Sequence, residues 1–234
     1  MSAATTPATA WTTGRIISKE LPTSTMVRLR MHVEDRQRHW PGQHYLIRLR
    51  APDDYTAQRS YSVASDDSDP LVEFLVERLP DGEVSEFLAD VAEVGDVLEL
   101  RGPIGRWFRW DTETPAICLV GGSGVVPAVA MTRAARHVGR PELIRVVAVG
   151  RNPEELPYSD ELTTAGAMMA YTRHDTDIRA AGPLTTEELM PLLAGSELAY
   201  VCGSSRFAEF AEGLLLECGL SPQAIRVEQF GFTG

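Results

Sequence analysis

Near Trp110 the hydrophobic periodicity of the chain changes, and no other feature limits its possible folds as much. From Gly14 to about Leu100 the sequence runs in short alternating or β-branched stretches: Met26–Met31, Tyr45–Arg50, Leu71–Val76 and Asp96–Leu100. Breaks fall at Pro41-Gly42, Asp53-Asp54 and Asp69-Pro70. This spacing predicts a small antiparallel barrel, interrupted by one helix over Ser85–Asp90 that follows Asp81-Gly82-Glu83-Val84. Past Trp110, apolar strands are followed by helical stretches. Ala116–Val120 leads through Gly121-Gly122-Ser123-Gly124 into a helix from Pro127 to His137. Ile144–Val149 and Met168–Thr172 read as further strands, and Leu198–Cys202 leads through Gly203-Ser204-Ser205 into a helix ending near Cys218-Gly219. Repeated strand–helix units with short loops predict a parallel sheet covered on both faces. The expected fold class is therefore β plus α/β: an antiparallel β-barrel domain over residues 12–110, then a parallel-sheet α/β domain over 111–234.

Composition excludes several classes of function. At 234 residues and 44% hydrophobic, the chain can fill real cores. Its longest apolar runs, such as Ile117–Val120 and Val146–Val149, are far short of the ~20 residues a transmembrane helix needs. The opening MSAATTPATAWTT has neither a basic nor an apolar leader region and reads as a disordered lead-in to a cytoplasmic protein. Three cysteines, with no C-x-x-C pair, rule out an all-cysteine zinc or iron–sulfur site supplied by this chain, so any redox centre is organic or belongs to a partner. A net charge of -11 argues against a nucleic-acid binder. The five histidines show no metal-ligand spacing and read as structural or surface residues. Lys19 is the single lysine, and a genome rich in Arg codons accounts for the arginine bias as well as any function does.

Several short motifs carry possible chemistry, each with a plain alternative. In Gln58-Arg59-Ser60-Tyr61-Ser62-Val63-Ala64-Ser65, strand alternation puts Arg59, Tyr61 and Val63 on one face and Ser60, Ser62 and Ala64 on the other, so neither face is cleanly apolar. An exposed edge strand explains that. So does a site in which Arg holds a phosphate, Tyr offers a flat ring and Ser a small hydrogen-bonding group. Gly121–Gly124, with Pro127 near the helix start, suits either a tight turn or a helix N-terminus that receives a pyrophosphate. Cys202-Gly203 ends a strand at the edge where open α/β sheets bind ligands, although cysteine is commonly just buried. Gly102–Phe108 can be only a domain-joining turn with a packed aromatic. Arg151, Arg173 and Arg179 each follow a strand; Gly150-Arg151 places a cation where sheets that prefer NAD usually have an acid, which suits a 2′-phosphate.

The ordered set Pro41-Gly42-Gln43, Arg59-Ser60-Tyr61-Ser62, Gly82-x-x-Ser85, Gly102-Pro103-x-Gly105, Gly121-Gly122-Ser123-Gly124-x-x-Pro127, Cys202-Gly203 and Glu228-Gln229-Phe230-Gly231 resembles the ferredoxin–NADP+ reductase family, from about Thr12 to the C-terminus. The resemblance implies an N-terminal flavin-binding barrel, a C-terminal nicotinamide-nucleotide domain and hydride transfer between two cofactors. By resemblance, Arg59 and Ser60 belong to the flavin phosphate site, Tyr61 packs on one isoalloxazine face and Ser62 lies near N5. Gly82, Val84 and Ser85 place a helix N-terminus on the same phosphates. Gly121, Gly122, Ser123 and Gly124 form the pyrophosphate loop of the nicotinamide nucleotide, and Cys202 with Gly203 lies near nicotinamide C4. Thr172-Arg173 resembles the family's 2′-phosphate pair, and Phe230 covers the second flavin face. The implied catalytic residues are Ser62, Cys202 and Phe230.

The chain departs from the family at Gly182-Pro183-Leu184-Thr185, where NADP-linked relatives often carry Gly-Arg, leaving Arg179 as the substitute. The implied cofactors are FAD and NADP, with NAD possible. The implied activity is an NADPH-to-FAD reductase that delivers electrons to a separate ferredoxin or oxygenase component. A flavin reductase that releases reduced flavin and a non-catalytic flavin or nucleotide sensor are the alternatives.

Overall fold

The computed structural model describes residues 10–230 and divides into two compact units between Arg109 and Trp110. The disordered lead-in expected for the N-terminus falls largely outside the described residues, as does Gly231 of the last motif.

The first unit contains β1 (Thr12–Thr23), β2 (Met26–Val33), β3 (His44–Arg50), β4 (Thr56–Ser62), β5 (Val72–Glu77), a short helix α1 (Glu83–Glu86) that widens into a π-turn over Phe87–Val91, and β6 (Val97–Ile104). The strands form one antiparallel sheet in the order β4-β3-β6-β1-β2-β5. Its side chains alternate inward and outward, so Ile16, Leu29, Met31, Tyr45, Ile47, Phe74 and Leu100 fill one fully buried core. The expected barrel is present but open, because β4 and β5 remain sheet edges. No ladder joins β4 to β5 among the described residues; just past β4, Val63 bridges Phe74, and the Ala64 N–H donates to the Glu73 carbonyl at 2.8 Å.

A charged brace holds the loop that follows this crossing. The Asp67 carboxylate accepts from Arg38 Nε at 2.8 Å, Arg36 Nη2 at 3.3 Å and the His39 backbone N–H at 3.0 Å. Arg30 grips Asp69 at 2.6 and 2.8 Å, and Arg36 also reaches the Asp69 carbonyl. His39 is buried with Nε2 2.9 Å from the Ser65 carbonyl, and burial, more than any charge, holds its pKa below the usual value.

The second unit contains β7 (Ala116–Gly121), α2 (Val126–His137), β8 (Ile144–Gly150), α3 (Ser159–Thr164), β9 (Met168–Tyr171), α4 (Thr186–Leu193), β10 (Leu198–Ser204), α5 (Ser205–Glu217) and β11 (Ile225–Phe230). All pairings are parallel, in the order β11-β10-β7-β8-β9. Near-continuous apolar runs such as Ile117–Val120 and Ala199–Cys202 suit strands buried on both faces. Trp110 is fully buried at the head of the unit and donates its Nε1–H to the Thr114 carbonyl at 2.8 Å. The order reverses between β7 and β10, so Gly121 and Gly203 flank the switch point where sheets of this kind take ligands. Among the described residues no helix is long and apolar enough to cross a membrane.

Phe74 joins two parts of the first unit, by its bridge to Val63 and by edge-on packing against Tyr45 with ring centroids 5.8 Å apart. Phe74→Ala is expected to destabilise this unit by about 3–5 kcal/mol. Urea denaturation with hydrogen exchange resolved over β4 and β5 checks it; a loss below ~1 kcal/mol contradicts the packing described.

Candidate functional site

In the first unit the residues of interest gather at the end of β4. Arg59 is exposed and donates only to the neighbouring Gln58 carbonyl, at 2.9 Å, with no carboxylate partner among the described residues. Arg30, Arg36, Arg48 and Arg78, by contrast, are all paired with acids. Ser60 is exposed, and Tyr61 packs against the core, where burial raises its phenol well above the usual value against the opposing pull of Arg59. Ser62 is buried, and its hydroxyl has no hydrogen-bond partner among the described residues. A buried orphan hydroxyl costs roughly 1–3 kcal/mol, which a bound ligand can recover.

Beside β4, the Gly82 turn feeds α1. A β-carbon at Gly82 would sit 2.3 Å from Ser85 Oγ, which itself donates to the Gly82 carbonyl at 3.0 Å and accepts from Leu79 N–H at 3.3 Å. The side chains of Val84 and Ser85 are buried, so what these residues can offer a phosphate is backbone N–H rather than the Ser85 hydroxyl. Two residues escaped sequence reasoning. Tyr55 donates its hydroxyl to Glu83 Oε2 at 2.9 Å and also lies within the field of Arg59, which ties the head of β4 to the first turn of α1. An aromatic directly after the Asp53-Asp54 turn was the available signal.

In the second unit the glycine turn and the end of β10 meet backbone to backbone. After β7 the chain makes a 3-10 turn over Gly122–Val125 before α2, with Pro127 in the first helical turn. Gly122 takes a left-handed conformation, φ +57°. A β-carbon on Gly124 would lie 2.3 Å from the Cys202 carbonyl oxygen and 2.7 Å from Gly203 Cα. β-carbons on Gly121 and Gly203 would both strike the Phe207 ring, at 2.9 and 2.6 Å. Phe207 is a second omission of the sequence reading. It sits in the first turn of α5, where Ser204 Oγ accepts from its N–H at 3.3 Å. Ser123 lies half-buried in the same turn.

Cys202 is fully buried, and burial first, then the Glu228 carboxylate, raises its thiol well above the ordinary value, so it remains a protonated thiol. Glu228 stands opposite Cys202 in the β10–β11 register, and Phe230 opposite Ser204. Burial pushes the Glu228 carboxyl from its ordinary 4.5 up to about 7.

The arginines divide into two kinds. The Arg173 N–H donates to the Arg151 carbonyl at 2.9 Å, which places these two cations side by side at the ends of β8 and β9. Arg151 reaches Glu155 only at 3.4 Å, and the Arg173 guanidinium has no partner among the described residues. Thr172 Oγ1 is turned back to the Gly150 carbonyl at 3.2 Å. Arg179 differs from both, because its guanidinium is bound to Glu188 at 2.7 and 3.2 Å and to four backbone carbonyls. The expectation that Arg179 replaces the missing family arginine meets a side chain whose donors are already committed.

Known proteins resemble this chain in sequence and in fold. The model of the oxidoreductase FAD-binding domain matches residues 14–109. The ferredoxin–NAD(P)+ reductase component of the naphthalene 1,2-dioxygenase/salicylate 5-hydroxylase systems of Ralstonia sp is 26% identical over 231 residues, covering 94% of this chain and 69% of that protein. The chain is similar to ferredoxin–NAD(P)+ reductase components, and its first unit to an oxidoreductase FAD-binding domain. The chain is also 28% identical over 198 residues to the toluate 1,2-dioxygenase electron transfer component of Pseudomonas putida, and 37% identical over 130 residues to methane monooxygenase component C of Methylosinus trichosporium. Those matches cover 81% and 55% of the chain but span only 58% and 37% of the two relatives. Among solved structures, the FAD/NAD-binding domain of nitric oxide dioxygenase from Vibrio cholerae aligns with a TM-score of 0.83 at 22% identity, covering 94% of this chain and 99% of that one. A ferredoxin NADP+ reductase from Neisseria gonorrhoeae aligns with 0.79 at 18% identity, covering 94% and 98%. These likenesses share the fold of the reductase family. The bare Arg59 cation, the orphan Ser62 hydroxyl and the glycine-lined turn of the second unit fit a phosphorylated flavin and a dinucleotide.

Two outcomes follow for this protein. Gly124→Ala forces backbone away from backbone at β10, and is expected to destabilise the second unit by more than the ~1 kcal/mol typical of point changes. Thermal unfolding checks it, and a variant as stable as the parent contradicts the contact. For Glu228 the folded-state pKa lies above the ordinary carboxylate value, so the folded protein holds the extra proton between about pH 4.5 and 7 and stability falls as pH rises through that window. Glu228→Gln is expected to match the parent near pH 4.5 and to exceed it by about 3 kcal/mol above pH ~8. A pH-independent difference in denaturant unfolding contradicts the burial argument.

Proposed function

We propose that the protein is an FAD-dependent NAD(P)H reductase that takes hydride from NADPH and passes electrons to a separate ferredoxin or oxygenase component. The observation that carries this reading is the exposed guanidinium of Arg59, three residues before the buried hydroxyl of Ser62, the first without an acidic partner and the second without any partner among the described residues. In this reading residues 12–110 are the FAD-binding domain and 111–234 the nicotinamide-nucleotide domain, and the protein works in the cytoplasm, where its three free cysteines stay reduced.

Bound FAD supplies the two-electron and one-electron chemistry, and the chain's residues position it. Arg59 neutralises the flavin phosphates together with the N–H groups of Val84 and Ser85; Ser60 lies at the same edge. Tyr61 would give the ring an aromatic wall, and Ser62 Oγ would offer it a hydrogen bond. Gly121, Gly122, Ser123 and Gly124 receive the nicotinamide nucleotide's pyrophosphate at the head of α2. Cys202, held as a thiol, borders the nicotinamide without acting as a nucleophile, beside Gly203. Arg151 and Arg173 take the 2′-phosphate, which makes NADPH the preferred donor and NADH a weaker one. Phe230 closes β11 opposite Ser204, at the same end of the sheet as Cys202 and Gly203. The electron-transfer roles in the relatives' names support the acceptor class assigned here.

The purified protein is expected to be yellow with extractable FAD, and Arg59→Ala to weaken flavin binding by about 1.5–3 kcal/mol, one charge-assisted contact. Fluorescence titration of FAD into stripped protein measures both. A colourless parent that takes up no flavin sinks the reading.

A further inference from the structure

Arg179 holds the segment between β9 and α4 in a dense set of contacts. Its Nε and Nη2 donate to the two carboxylate oxygens of Glu188 at 2.7 and 3.2 Å. Its Nη1 reaches the carbonyls of Tyr171 at 3.2 Å and Ala180 at 3.1 Å, and its Nη2 those of Gly182 at 3.2 Å and Pro183 at 2.8 Å. The side chain is only 10% exposed. Five N–H groups thus serve six acceptors, and none is left to take a phosphate.

The same segment is cross-tied elsewhere. Thr176 and Arg179 close a tight turn, with N–H to carbonyl at 2.8 Å and the Arg179 N–H on Thr176 Oγ1 at 3.0 Å. Asp175 Oδ1 accepts from the Ala181 N–H at 2.6 Å, and the Gly182 N–H returns to the Tyr171 carbonyl at 3.1 Å. Glu188 is itself fixed, because it forms a capping box with Thr185 at the start of α4. Arg173 lies inside this tied segment, two residues past the end of β9, with a guanidinium that has no partner among the described residues.

We infer that Arg179 is a positioning residue that folds the segment from Tyr171 to Pro183 into one conformation, so that Arg173 meets the 2′-phosphate of NADPH without a further ordering step. The inference rests on the reading of Arg173 as the 2′-phosphate contact, and it assigns to Arg179 a role other than binding that phosphate. It also accounts for the chain's departure at Gly182-Pro183: the carbonyls there are needed as acceptors for Arg179, and an arginine side chain is not needed to reach the nucleotide.

The test compares Arg179→Ala, Arg179→Lys, Glu188→Gln and Arg173→Ala in the flavin-loaded protein, with amide hydrogen exchange over residues 172–183 and KM and kcat for NADPH and NADH as readouts. Arg179→Ala is expected to speed exchange across the segment and to raise KM for NADPH at least about tenfold, since residues ordered only on binding charge that entropy to affinity. NADH parameters and kcat should move little. Arg179→Lys restores only part, because one ammonium cannot span a carboxylate and four carbonyls. Glu188→Gln keeps a side chain able to complete the capping box and gives a milder form of the same effect. Unchanged exchange with a raised NADPH KM in Arg179→Ala makes Arg179 a direct ligand and overturns the inference. Faster exchange with no change in the NADPH-to-NADH ratio also overturns it, leaving Arg179 a purely structural tie. If Arg173→Ala leaves that ratio unchanged, the 2′-phosphate reading itself falls, and the exchange data separate that failure from a failure of the Arg179 contacts.

Discussion

The second unit depends on a contact from which side chains are excluded. The turn after β7 lies against the last residues of β10 at a distance that only hydrogen at Gly124 allows, with the Cys202 carbonyl where a β-carbon would be. Because β7 and β10 are neighbours at the point where strand order reverses, this approach brings the head of α2 and the end of β10 to the same place. Helix N–H groups, the buried Cys202 thiol and the raised Glu228 carboxyl are then assembled by backbone geometry alone. Van der Waals exclusion sets the position; the polar groups follow from it.

The first unit reaches a comparable result by electrostatics. Its sheet does not close through a ladder, so the end of β4 and the loop after it need another restraint, and the carboxylates of Asp67 and Asp69 supply it by gathering Arg30, Arg36, Arg38 and the backbone at His39. Most cations of this unit are consumed in such pairs. Arg59 is left facing solvent, and in a protein of net charge -11 an isolated exposed cation on a rigid strand is a local attractor for anions.

Much of this was legible in the sequence, and the gaps have physical causes. The change of periodicity near Trp110 places both sheets, and the glycine turn and the β4 motif were visible because each breaks the pattern around it. β1 was hard to see since two register irregularities, between Ile16 and Ser18 and between Glu20 and Thr23, interrupt its alternation. β11 was hidden in a mixed polar run, Ile225–Phe230, because it pairs on one side only, as the edge of the sheet. The commitment of Arg179 and the burial of the Ser85 hydroxyl could not be read at all. Both depend on where a flexible side chain turns, and Arg179 and Glu188 are nine positions apart with no periodicity linking them.

The packing of Phe207 limits how this protein can change. Its ring covers Gly121 and Gly203, which belong to different strands of the sheet and lie more than eighty residues apart in sequence. A side chain at either glycine requires the ring to leave, and loss of the ring exposes both backbones at the switch point. In sequence space the three positions therefore behave as one site. A neutral path to a different residue at any of them passes through a paired substitution, so their covariation carries information that the residues do not reveal singly.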